Sequence, residues 1–485
     1  MAEKALPRPP SPAGESLPAG FGVVPDVRMR AFDGGATIVG GVPERLVRLG
    51  PRAGRILDGL MAADPAPVSD GIAAALVRPL LDAGLLHPRP GPSRLTPLDV
   101  TVVVPVHDRV ASLPVALGGL GPVGRVVVVD DASADGSGAA AREAGAAVVR
   151  RVVRGGPAAA RNTGLESVDT PLVAFVDSDC RLPAGWLEGL LGHFNDPTVA
   201  VVAPRVVGDV AERRDPLAAY EAERSPQDLG RLPGYVRPGA RVSFLPAAVM
   251  VARTEVVRGF GGFDEDLEVG EDVDLVWRLA REGWRVRYEP AVVAFHDARP
   301  DLGRFLGRRV DYGTSAAALH IRHPGKVAPI GVSSWSVAVW GSVLAGRPVV
   351  AAATAGATIA RLAARLRGRV GTPGRVAWLI AGRGHAGAAR VLASAIARTW
   401  LPAALLAMVV SRRSRRPLGA FLLVAPVVEW LERRPPLDPA SYTALHLLDD
   451  AAYCCGVWIG CIRHRTVGPL VPRLYRPEPL LSGAD

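Results

Sequence analysis

Two carboxylates separated by one serine, Asp177, Ser178 and Asp179, follow directly on the apolar run 172–176. If the backbone stays extended past Val176, side chains two apart point the same way, and both carboxylates face one spot beyond the strand. Two hard oxygen ligands at such a spot suit Mg2+ or Mn2+, which keep waters and take further ligands from a substrate's phosphates. A lone DSD serves equally as a solvated turn after a buried strand, so the motifs around it decide.

PVHDR begins with Pro105 and Val106 at the end of another apolar run, and Asp108 can accept from a base or a ribose. VDDAS carries adjacent carboxylates, Asp130 and Asp131, which could meet the imide of a uracil and a ribose hydroxyl, or cap the helix that follows. In RGGPAAARNTG, Gly155 and Gly156 permit close backbone approach, and Arg161 offers a guanidinium to a diphosphate. That segment matches neither a dinucleotide fingerprint nor an ATP P-loop. Further on, Glu271 and Asp272 stand at the start of a helix, where the dipole favours ionised carboxylates. A carboxylate there could deprotonate a sugar hydroxyl, while Asp274, Leu275, Trp277 and Leu279 read as structural. His296 ends an apolar strand and could complete a metal site as neutral imidazole, or be a hydrogen-bonded core histidine.

The elements that must position these residues alternate. Strands are expected at 102–106, 125–129, 147–153 and 172–176, with helices at 112–120, 136–144 and 157–166 between them. This order implies a mostly parallel sheet covered on both faces. Right-handed crossovers then bring PVHD, VDDAS and DSD to one edge. Beyond it the pattern predicts strands at 199–207 and 242–252, a mobile loop over 212–239, a helix over 271–282, and two short strands at 285–288 and 291–295.

Before this region, 1–19 reads as a disordered leader with no apolar signal segment. Residues 20–88 read as a small α+β unit of winged-helix type, with strands at 22–30, 36–42 and 45–49 and helices at 51–61 and 69–86, the second capped by Asp70. A Pro-rich stretch from His87 marks a boundary, with the linker at 89–98. The main domain is expected over 99–325, and 326–485 is expected to be helical. In that last part only the charge-free run 327–346 is long enough to span a bilayer. Runs at 348–360, 399–411 and 417–428 have interfacial or core length. Arg412, Arg413, Arg415 and Arg416, between the last two, suit anionic headgroups on the cytosolic side.

A chain of 485 residues should hold several domains. Its 57 basic against 47 acidic residues give a net charge of +10, which suits an anionic partner such as a nucleotide, a nucleic acid or a lipid headgroup. Cys180, Cys454, Cys455 and Cys461 show no CxxC pairing, consistent with a reducing, cytosolic setting.

In order along the chain, PVHD, VDDAS, GG…RN, DSD, GED and FHD resemble the family 2 glycosyltransferases of GT-A fold. The resemblance implies an α/β domain that uses a nucleotide-sugar donor. It implies a donor site of Pro105, Val106, Asp108, Asp130, Asp131, Gly156, Arg161 and Ser178. A divalent metal, Mg2+ or Mn2+, would be held by Asp177, Asp179 and His296, and Asp272, beside Glu271, matches the catalytic base of an inverting displacement. Residues 20–88 resemble PqqD-like peptide-recognition domains, which capture a precursor peptide as an added strand.

The combination is similar to the glycosyltransferases of the mycofactocin system. That similarity implies transfer of a hexose, glucose from UDP-glucose, in β-linkage and by successive β-1,4 additions, to a peptide-derived redox cofactor precursor. It also implies membrane association at the cytoplasmic face, or else a cytoplasmic protein. The main alternative is a membrane glycosyltransferase for a polysaccharide or glycolipid acceptor. Processive synthases usually show QxxRW where this chain has FLGRRVDYG. A nucleic-acid partner is not expected, because 69–86 offers only Arg78 to read a base. An inactive peptide scaffold is disfavoured, because DSD, GED and His296 are intact.

Overall fold

Four consecutive strands, β1 (Val100–Val106), β2 (Arg125–Asp131), β3 (Ala147–Arg151) and β4 (Leu172–Val176), lie side by side in parallel in the order β4-β1-β2-β3. The computed structural model describes residues 6–10, 17–18, 21–41, 44–62, 66–68, 71–209, 215–297 and 301–474. Most of the expected leader and the expected cap Asp70 lie outside them.

Every residue of β4 is buried, as a strand covered on both faces requires. The sheet continues through β5 (Cys180–Arg181), β6 (Val199–Asp209), β7 (Gly234–Tyr235), β8 (Val249–Arg253) and β9 (Arg285–Asp297) to nine strands, in the order β5-β9-β6-β8-β4-β1-β2-β3 with β7 also on β9. β8 runs antiparallel to β4, with Val176 opposite Val249. The chain entering β8 therefore passes the end of β4, where the DSD lies. The helix α1 (Gly156–Glu166) packs on this sheet, and a Cβ on Gly164 would come within 2.3 Å of Val103. A second helix, α2 (Glu271–Arg281), buries Leu275, Val276 and Leu279.

Several elements differ from expectation. The two short strands at 285–295 are one, β9, whose pairing with β6 slips between Glu289 and Val293. Pro290, which has no N–H to give a ladder, falls in that slip. The segment 240–248 is irregular until β8 begins at Val249, and the stretch expected as a loop holds the helix Pro216–Glu223 as well as β7. The helix Gly71–Asp82 is followed by left-handed Gly84 (φ +69°). Leu86–Arg89, read as helix end and linker, is a strand antiparallel to Gly22–Pro25.

The chain divides into two compact units. One comprises Met1–Val27, Asp58–Glu212 and Arg224–Ala298 and carries the nine-stranded sheet. The other comprises Arg28–Leu57, Arg213–Glu223 and Arg299–Asp485. Residues 20–88 thus contribute to both. The second unit holds a small antiparallel sheet of Arg30–Phe32, Thr37–Gly40 and Arg45–Arg48. Its helices include α3 (Leu302–Arg322), α4 (Ser334–Leu344), α5 (Pro348–Leu366), α6 (Arg383–Arg398), α7 (Leu401–Val410), α8 (Arg412–Arg433) and α9 (Pro439–Arg463).

The apolar run 327–346 is not one helix. The Ser333 side chain accepts from the Ser336 N–H and starts α4, which is only 11 residues long. Among the described residues, the single helices long and apolar enough to cross a membrane are instead α5 and α9. α9 carries two buried acids at its middle. Asp449 lies 3.0 Å from Arg309 and accepts from the Tyr220 hydroxyl, and Asp450 accepts from Arg398 at 3.0 Å. All four cysteines are free thiols, and of these only Cys455 is exposed.

Candidate active site

Strand β4 delivers Asp177 to the edge shared by the carboxyl ends of β1 and β2, but the backbone does not stay extended. The Asp177 N–H donates to the Ala248 carbonyl at 2.8 Å, and the Cys180 N–H returns to the Asp177 carbonyl at 3.0 Å, closing a turn. The two DSD carboxylates therefore meet different partners. Asp177 accepts from Arg161 Nη2 at 2.7 Å, whereas Asp179 Oδ1 lies 3.3 Å from His296 Nε2. The second approach is set by the sheet, since β5 pairs Cys180 with His296 on β9 and the Asp297 N–H donates to the Asp179 carbonyl. Arg109 reaches the other Asp179 oxygen at 3.6 Å.

Arg161 is buried, and its guanidinium bridges two acids, with Nη1 donating to Glu271 at 2.8 Å while Nη2 holds Asp177. Burial opposes its charge, but Asp177 and Glu271 outweigh that and raise its pKa further above the ordinary value. The fork thus ties the end of β4 to the first turn of α2.

Asp272 follows Glu271 at the amino end of α2. Left-handed Gly270 (φ 93°) turns the chain into that helix. One Asp272 oxygen accepts from the Ala247 N–H at 3.1 Å and the other from the Val273 N–H at 2.7 Å. Burial, reinforced by the adjacent Glu271 charge, pushes its carboxyl up to about 7, although Arg161 and the two N–H groups pull the other way. A carboxylate poised near neutral pH is suited to accept a proton.

At the ends of β1 and β2 the acids divide their work. Asp130 is fully buried, accepting from the Ser133 N–H and from Arg150, each at 2.8 Å. Asp131 accepts from the N–H groups of Gly155 and Gly156 at 2.9 and 2.8 Å and lies 2.9 Å from Arg151 Nε. Gly156 takes φ +83°, a left-handed conformation open to glycine. Asp108, itself left-handed at φ 49°, accepts from the Ala134 N–H at 2.8 Å and keeps nearly half of its side chain exposed. Val106 and Ser178 are buried, and Pro105 is half-buried.

His107, Arg109, Arg150 and Arg151 escaped the sequence reading. Arg150 and Arg151 had a signal, because β2 and β3 run in parallel with Asp130 opposite Arg150 and Asp131 opposite Arg151. An acid pair and an arginine pair ending successive strands can be read from sequence. His107, whose ring bonds the Asp131 carbonyl at 2.8 Å, had none.

Among the described residues no three His, Cys, Asp or Glu side chains cluster as a metal cage. The pair Asp179 and His296 nevertheless offers one carboxylate oxygen and one imidazole nitrogen converging within 3.3 Å. Such a donor set fits Mn2+ or Mg2+ when a substrate supplies further oxygens.

The sequence matches the family model Glycosyl transferase family 2 over residues 101–242 and Glycosyl transferase family group 2 over residues 172–421. It is 42% identical over 476 residues to the Pre-mycofactocin glycosyltransferase of Mycobacterium tuberculosis (strain ATCC 25618 / H37Rv), covering 94% of this chain and 98% of that protein. Glycosyltransferase AglE of Haloferax volcanii is 26% identical over 231 residues, covering 44% of this chain and 71% of its own length. Among solved structures, the mannosyltransferase PcManGT from Pyrobaculum calidifontis, in complex with GDP-Man and Mn2+, is 21% identical with a TM-score of 0.37, covering 70% of this chain and 91% of that one.

Proposed function

The chain belongs to the pre-mycofactocin glycosyltransferases, within the family 2 glycosyltransferases of GT-A fold, and on that premise we propose that it moves glucose from UDP-glucose, in β-linkage, onto the peptide-derived precursor of a redox cofactor. Successive β-1,4 additions would lengthen the product. What carries this reading is the 42% identity extending over 94% of the chain, both units included.

In the proposed reaction Asp272 accepts the proton of an acceptor hydroxyl. The acceptor oxygen so freed attacks the anomeric carbon from the face opposite the departing nucleoside diphosphate, so an α-linked donor yields a β-linked product in one displacement. The oriented amides of Ala247 and Val273 hold the Asp272 carboxylate in place. Asp108 and Asp131 serve the nucleoside, with Gly156, Pro105, Val106 and Ser178 completing the donor site. Asp179 and His296 would hold a divalent metal, which when bound supplies positive charge to the leaving diphosphate. Arg161 acts by fixing Asp177 and Glu271 around the base, since its guanidinium is engaged by both.

Residues 20–88 take the peptide-derived acceptor as an added strand. The exposed position of Arg30–Phe32 as the outermost strand of the small sheet supports this, since a sheet edge is where a strand can be added. The apolar helices α5 and α9 support membrane association, and the reading puts it at the cytoplasmic face.

The deciding experiment is mass spectrometry of small peptide-derived metabolites in cells carrying wild-type protein or Asp272→Asn. The reading expects hexose-bearing species in successive steps to vanish in the variant while an unglycosylated precursor accumulates. Unchanged metabolites would overturn it and turn attention to polysaccharide or glycolipid acceptors.

A further inference from the structure

The hairpin of α7 and α8 carries more exposed apolar side chain than a water-facing surface needs. On α7, Leu405, Leu406, Val409 and Val410 are 50%, 65%, 74% and 79% exposed. Their spacing of three and four residues makes one stripe along the helix. On α8, which packs against α7, Leu423, Val424, Val427 and Leu431 repeat the pattern.

Cations stand where the two helices join. Arg412, Arg413 and Arg416 are exposed, and Arg415 turns back to donate to the Met408 carbonyl at the end of α7. No acidic residue occurs between 399 and 428. An apolar stripe ending in unopposed arginines is complementary to a surface that is greasy inside and negative at its rim.

We propose that this hairpin docks the protein in the headgroup region of an anionic lipid bilayer; the proposal rests on the membrane association argued above and assigns it a place and a lipid chemistry. The hairpin lies in the interface and does not cross. α7 has 10 residues, about 15 Å at 1.5 Å per residue and roughly half the hydrocarbon thickness. It is bent by 88° from the helices before it, so the two do not form one straight span. α8 opens on its arginines and contains Pro417, Pro426, Glu429 and Glu432. A second copy of the chain is a poorer occupant, because a two-fold contact would bring the same arginine cluster from each copy onto one interface.

Flotation of the purified full chain tests this, with vesicles of phosphatidylcholine alone or mixed with phosphatidylglycerol. Two variants are compared with wild type, Leu406→Asp/Val409→Asp/Val410→Asp and Arg412→Ser/Arg413→Ser/Arg416→Ser. Circular dichroism melting and sedimentation of each serve as controls for folding and self-association. Wild type is expected to float with the mixed vesicles and to release as salt rises. Each folded variant should partition about tenfold more weakly or worse.

Wild type that floats on the mixed vesicles while both folded variants float equally well would overturn the hairpin assignment and leave membrane association standing through another element. Equal flotation of wild type on neutral vesicles would overturn the anionic chemistry. Wild type that floats with neither vesicle would overturn membrane association itself. If the aspartate variant instead converts a vesicle-indifferent oligomer to a monomer, the occupant is a second copy.

Discussion

Arg241 grips Asp26 through both terminal nitrogens, at 2.7 and 3.0 Å, across 215 positions of sequence. Asp26 also lies 2.8 Å from His87 Nε2, so the pair Gly22–Pro25 and Leu86–Arg89 is fastened to the segment entering β8. Six residues beyond Arg241, the Ala247 N–H meets Asp272. Removing the Asp26 carboxylate leaves Arg241 and His87 without it. Asp26→Ala should therefore cost about 3–5 kcal/mol, as expected when one partner of a buried pair is deleted. Urea unfolding measures that loss, and faster amide exchange at 242–248 in the folded variant would locate it.

The activity of wild type should follow the ionisation of Asp272. The base must be deprotonated to act, and its carboxyl is pushed up to about 7 by burial and by Glu271. Below that value kcat/KM should fall about tenfold per pH unit, and above it level off. A profile flat down to pH 5 would remove Asp272 from the role.

The same shift acts on stability with the opposite sense. Between the ordinary aspartate value and about 7 the folded chain keeps a proton that the unfolded chain has released. The stabilisation this gives is full below the ordinary value and is lost as pH rises through about 7. Asp272→Asn cannot ionise, so its Tm should exceed that of wild type by about 2–4 °C per kcal/mol recovered at pH 8. At pH 4 the two should melt alike in differential scanning calorimetry.

Replacing Arg161 by Met keeps much of its bulk and removes the fork. Asp177 and Glu271 are then left without their shared cation. A loss of about 3–5 kcal/mol in chemical unfolding is expected, together with a fall in kcat as α2 loses its tie to β4. Arg161→Lys should recover only part of either, since an ammonium cannot hold two carboxylates in the same geometry.

Metal binding should depend on Asp179 and His296 more than on Asp177. Asp179→Asn or His296→Ala should weaken Mn2+ binding about tenfold or more, read by titration calorimetry with UDP present and by the Mn2+ required for half-maximal transfer. Equal affinity in both variants and in wild type would rule the pair out as ligands.

The parallel arrangement of β1 to β4 is legible because those strands read as Val-rich runs punctuated by short helices, and the motifs at their ends resemble one family in order. The resemblance to family 2 glycosyltransferases holds over the chain. What the sequence hides is partnership across distance. Leu86–Arg89 reads as a linker because it contains Pro88, yet pairing with Gly22–Pro25 makes it a strand. Likewise Asp177 and Asp179 suggest one shared spot only if the chain stays extended. The hydrogen bonds of Asp177 and Cys180 close a turn that no local spacing announces. The run 327–346 fails as a span for a local reason, since Pro329 cannot donate and Ser333 starts a new helix.

The distribution of thiols gives the protein a single chemical handle. Cys180 is sealed behind the DSD turn, where burial, with Asp177 and Asp179 beside it, pushes its thiol well above the ordinary value. Cys454 and Cys461 are also buried, while Cys455 faces outward from α9. A maleimide dye offered to the native protein should therefore attach at one position, on α9, with no cysteine removed. Fluorescence from that site could follow this helix while the native sequence of the catalytic unit stays untouched.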